Sequence, residues 1–173
     1  MDALERRAFE LRAVDDGAAL EGIAMPYGSQ GRVGRFTEEF RAGSLDYSDV
    51  LVNLFHDPSR VVARTDGGGL TLTETDGALR ARIELPDTTE GRDARELVRR
   101  NILRGLSIEF KATRDEWRGT HRIVSAARLS GIGIVARPAY AGATIAEGRE
   151  LRSEDHLAAL NGRGVRRMRW RSL

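Results

Sequence analysis

The 173-residue sequence contains no cysteine, which excludes a disulfide framework, a thiol nucleophile and any thiolate metal site. It has three histidines, at positions 56, 121 and 156, too few for a histidine-rich metal centre, so no metal and no cofactor are expected. Lys111 is the only lysine, so nearly all the positive charge is arginine, read first as a compositional bias and only second as a set of phosphate contacts. A formal net charge of +2 is too small to imply nucleic-acid binding along the whole chain. No apolar run approaches the roughly 18 residues of a membrane span, and Met1–Arg7 lacks the apolar core of a signal peptide. A protein made and kept in a cytoplasm, with no membrane partner, is expected.

Hydrophobic residues make up 40% of the chain and charged residues 31%, the balance of a folded soluble domain. Residues 6–14 and 18–27 alternate around Asp15-Asp16-Gly17 and predict a hairpin. The glycine-rich stretch 28–34 lacks a phosphate-loop pattern and reads as a mobile surface loop. Phe36 and Phe40, four apart, suit a short helical turn or an irregular segment closed by Gly43. Short strands are expected at 50–55, 60–66, 69–75 and 78–85, and this succession points to a barrel or sandwich.

The pattern then changes. Asp87 or Thr88 can cap a helix whose apolar positions Ala94, Leu97, Val98, Ile102 and Leu103 recur at helical spacing, with Gly105 as terminator. Strands follow around Ser107, at 122–127 and at 132–135, with a last edge strand at 144–146 and a short helix at 153–160. Beyond Gly162 five arginines crowd a stretch that reads as a disordered tail. A domain over 1–150 and a basic, flexible tail over 151–173 are the expected organisation. A basic tail also allows a nucleic-acid-associated role, which ranks well below the reading that follows.

Two stretches carry chemistry. Ser107 lies in Gly105-Leu106-Ser107-Ile108-Glu109-Phe110, and His56 in Leu54-Phe55-His56-Asp57. A serine on one strand and a histidine near another are the parts of a nucleophile and its base. Taken singly, Ser107 reads more readily as a small strand residue with a satisfied hydroxyl, and His56 equally well as a strand-end histidine bonded to a neighbour. Glu74, Glu84, Asp87 and Glu90 look like solvent-face positions, not a paired-carboxylate site.

The order of these motifs resembles the prohead (capsid maturation) proteases of tailed bacteriophages, whose fold is similar to the assemblin proteases of herpesviruses. The resemblance rests on Gly22, Ala24, Tyr27, Phe40, Gly43, His56-Asp57, Gly105 to Phe110, Val135 and Pro138-Ala139, across roughly residues 8 to 147. It implies an α+β, mainly β fold, a small β-barrel of about seven strands flanked by a few helices. It implies a serine endopeptidase that processes capsid and scaffold proteins, and in some cases itself, inside an immature capsid in the bacterial host. Capsid and scaffold proteins are then the partners, a homodimer is a further option, and nucleic acid is not an expected partner. Residue by residue, Ser107 matches the nucleophile and His56 the general base.

The third member stays open. Many relatives carry an acid in a Leu-x-Glu pattern before Pro-Ala, where this chain has Leu129-Ser130-Gly131. The candidates are His121, because herpesvirus relatives use a second histidine, and Asp57 and Glu109. The resemblance also makes Arg137 the oxyanion candidate. Glycine at 131 motivates the alternative, a catalytically inactive capsid-assembly or scaffold-binding module of the same fold.

Overall fold

The computed structural model describes residues 5–136; the expected edge strand at 144–146, the helix at 153–160 with His156, the basic tail and Arg137 lie outside them. Strands β1 (Glu5–Val14) and β2 (Ala19–Pro26) form the expected hairpin. Short strands follow: β3 (Gly31–Val33), β4 (Phe36–Phe40), β5 (Leu45–Asp46), β6 (Leu51–Leu54), β7 (Val61–Arg64), β8 (Leu70–Glu74) and β9 (Ala78–Glu84). Helix α1 (Thr89–Arg99) precedes the two longest strands, β10 (Gly105–Arg118) and β11 (His121–Val135).

Two expectations fail at β3 and β4. The glycine-rich stretch is not simply a loop, because Gly31–Val33 pairs with β4. Phe36–Phe40 is a strand, not a helical turn. A spacing of four satisfies both periods, since even spacings share a face of a strand. Phe40 packs edge-on against Phe110, their ring centroids 5.1 Å apart.

Helix α1 is capped by Thr88, whose side chain accepts the Gly91 amide. It ends before Gly105. Asn101 takes a left-handed conformation (φ 59°), and the amides of Asn101 and Ile102 bond back to the carbonyls of Val98 and Leu97. This is a Schellman closure with asparagine in the place usually held by glycine.

The sheet path runs β3-β4-β11-β10-β1-β2-β9-β8, with β5 and β6 also on β11 and β7 on β6. The mainly β class with a helix is therefore correct, but among the described residues the strands number eleven and the sheet does not close into a barrel. Among the described residues no ladder joins β7 to β8, only the single bridge Arg64↔Gly69. Ala63, on the β6–β7 branch, and Leu70, on β8 at the end of the path, nevertheless share one hydrophobic core with Leu106, Ile108, Phe110, Ile132 and Ile134.

Strand β11 is the spine. On one side it pairs antiparallel with β10 along its whole length. On the other, β4, β5 and β6 run parallel to it one after another, opposite residues 121–124, 127–128 and 131–134. A bulge at Ser130 lets Glu109 face Gly131 while Phe110 faces Leu129. That extra residue shifts the alternation, so Leu129, Ile132 and Ile134 all reach the core. The outer end of the β10–β11 hairpin is held by Arg122, which reaches Glu5 (2.6 Å), Glu38 (3.0 Å) and Asp115 (2.6 Å) and lies over Trp117.

Candidate active site

Strand alternation turns Leu106, Ile108 and Phe110 into the core, which puts Ser107 and Glu109 on the opposite face of β10. Paired residues of neighbouring strands share a face. The register Ser107↔Gly133↔Asn53 is therefore one row across β10, β11 and β6, and Glu109↔Gly131↔Leu51 is the next. Ser107 is 6% exposed.

His56 reaches this face through a turn. The Phe55 amide bonds to the Ile134 carbonyl (3.0 Å), extending the β6 ladder, and the Asp57 amide closes back on Leu54 (2.9 Å). Both central residues are left-handed, Phe55 at φ 59° and His56 at φ 60°. That is the I′ arrangement, usually built from Asn and Gly. In side-chain-bearing residues it costs roughly 1–2 kcal/mol each. The turn is over-determined by its own bonds: Leu54 N–H to the Arg60 carbonyl, Arg60 N–H to the Asp57 carbonyl, and the Asp57 carboxylate to both the amide and hydroxyl of Ser59.

The turn lays the imidazole on Gly133. A Cβ at that position would lie 2.7 Å from His56 Cε1 and 2.8 Å from either ring nitrogen, so only glycine fits beneath the ring. His56 Nδ1 stands 3.2 Å from Glu109 Oε1, in a pair whose side chains are 8% and 13% exposed. The same carboxylate rests on Gly131, where an added Cβ would lie 2.9 Å from Glu109 Oε2. The two glycines at alternate positions of β11 are thus seats, one for the imidazole and one for the carboxylate.

Of the sequence candidates, Ser107, His56 and Glu109 come together on this face. Asp57 does not join them: its carboxylate is occupied by Ser59, whose hydroxyl bond foremost lowers its pKa. His121 is at the far end of β11, with Nδ1 2.8 Å from the Thr37 hydroxyl and Nε2 3.5 Å from Glu39. Sequence reasoning missed the roles of Gly131 and Gly133. Their signal was legible: glycines two apart inside an apolar strand mark a face that something approaches closely. It also missed Asn53, in the same row and 5% exposed. Among the described residues no group of His, Asp and Glu is arranged to hold a metal ion. Nor is any helix there long and apolar enough to cross a membrane.

The arrangement is a hydroxyl, an imidazole and a carboxylate on one face, the parts needed for acyl transfer. A family model for the caudovirus prohead serine proteases matches residues 7–158. No curated protein and no solved structure matches the chain. With nearly the whole chain covered by that model, the protein belongs to the caudovirus prohead serine protease family.

Proposed function

We propose that this chain is an active serine endopeptidase that cuts capsid and scaffold proteins, and itself, inside the immature phage capsid in the host cytoplasm. The observation that carries the reading is the His56 imidazole seated on Gly133, with Ser107 at the same register on the adjoining strand and Glu109 at Nδ1.

Position supports the following roles. Glu109 holds the proton on His56 Nδ1 and orients the ring, so Nε2 is the nitrogen that accepts the serine proton. Ser107 Oγ bonds to the scissile carbonyl carbon as its proton passes to His56. The tetrahedral intermediate collapses, the C–N bond breaks, and His56 returns the proton to the departing amine. Water then attacks the ester with His56 again as base, which releases the second product and regenerates Ser107. Arg137 is the proposed oxyanion donor, and its loss should cost roughly 10²–10³ in rate.

Glycine at 131 does not argue for an inactive module, because the carboxylate is supplied by its cross-strand partner, Glu109. The test is co-expression with the capsid and scaffold proteins, comparing the parent chain with Ser107→Ala and reading every product by mass spectrometry. Processing that disappears in the variant is the expected result. Equal processing in both would remove Ser107 from the chemistry, and no processing by the parent would revive the scaffold-binding reading.

A further inference from the structure

Asn53 is the one member of the Ser107–Gly133–Asn53 row without a role so far. It is buried at 5% exposure, and among the described residues its Oδ1 has no hydrogen-bond partner. A buried acceptor left unsatisfied is destabilising, so the position calls for a physical reason. Its register opposite Gly133 puts its side chain on the face where the imidazole rests, on the side away from Ser107. Val52 and Leu54, its neighbours on β6, point into the core, which fixes this orientation. The Leu54–Asp57 turn begins one residue later, so the same short segment delivers both the amide and the ring.

We propose that Asn53 is a positioning residue whose amide oxygen backs the His56 imidazole and favours its protonated form. The oxygen is the negative end of a fixed dipole. The ring gains a full positive charge when it takes the Ser107 proton, at the stage where the barrier is highest. A dipole already in place at that moment needs no reorganisation, and in a buried site it acts with little screening. An acceptor that is costly in the resting state is then matched in the charged one. Glu109 supplies the charge at Nδ1; Asn53 adds a neutral dipole behind the ring.

This inference rests on His56 being the general base, and its test is independent of turnover. In a Ser107→Ala background, where self-cleavage is removed, the titration of the His56 ring is followed by NMR in the parent, Asn53→Asp and Asn53→Leu chains. A carboxylate at 53 should raise the midpoint by about one pH unit or more. Leucine, similar in size and without a dipole, should lower it. If Asn53→Asp does not fold, the downward shift in Asn53→Leu decides alone. Midpoints unmoved in the folded variants would overturn the proposal and assign Asn53 to packing or to a buried water. Failure of the base reading is distinguishable, because His56→Gln in the otherwise unaltered chain would then leave processing intact whatever the ring titration shows in the Asn53 variants.

Discussion

Among the described residues there are two hydroxyl–imidazole–carboxylate groupings against the same strand. At one end of β11, Ser107 and Glu109, two apart on β10, flank His56; at the other, Thr37 and Glu39, two apart on β4, flank His121. Composition does not separate them. Their settings do. His121 belongs to a regular strand and is 20% exposed, with Thr37 at Nδ1 and Glu39 toward Nε2. His56 is 8% exposed, is carried by a strained turn, and lies on a glycine that admits no side chain beneath it. Strain and cleared space are costs to stability, and proteins retain them where the geometry itself is used. The His121 end instead adjoins the Arg122 cluster, where one guanidinium reaches three carboxylates and ties β1, β4, β10 and β11 together. Under the proposed function, the first end carries proton transfer and the second holds strands together.

That contrast can be broken by mutation. Reaction with a fluorophosphonate, which acylates an activated serine without needing the natural substrate, gives a rate for each variant, and peptide mapping gives the position. His56→Gln should slow labelling by about 10²–10⁴-fold, the usual contribution of a general base. His121→Gln should leave the rate unchanged, and the label should fall on Ser107, never Thr37. A reversed pattern would exchange the two sites.

Arg122→Leu should act on stability alone. It removes the guanidinium that reaches Glu38, 4% exposed, and losing one partner of a buried pair costs about 3–5 kcal/mol. The denaturation midpoint should drop accordingly, while labelling per folded molecule stays the same. Gly133→Ala should do the opposite. Its Cβ displaces the imidazole, and a misplacement of about 1 Å costs on the order of 10²-fold in rate. Gly131→Ala should be milder, roughly tenfold, because its Cβ meets the end of a flexible glutamate that can shift. Equal effects at the two glycines would contradict the reading of them as separate seats.

How legible this was in the sequence depends on range. Helix α1 was readable because its cap, acidic first turn and apolar spacing are local, yet its end was misplaced by the left-handed Asn101. The β1–β2 hairpin and the strands β6 to β9 were readable for the same reason. Strand β11 looked like two strands because the bulge at Ser130 breaks its period. The Phe55–His56 turn carries no glycine or asparagine to announce it. Glu109 could not be chosen over Asp57 and His121 without the register that sets it opposite Gly131. Gly131 itself read as a lost acid, when what it provides is room for a carboxylate arriving from the next strand.

The central claim is that this carboxylate has been supplied across the strand pair. Labelling rates for Glu109→Gly and for the double variant Glu109→Gly/Gly131→Glu test it most directly. The single variant should lose roughly 10⁴-fold, the loss seen when a triad acid is disabled. The double variant, which restores the Leu-x-Glu pattern, should recover most of the parent rate. Parent-like labelling by Glu109→Gly alone would contradict the account.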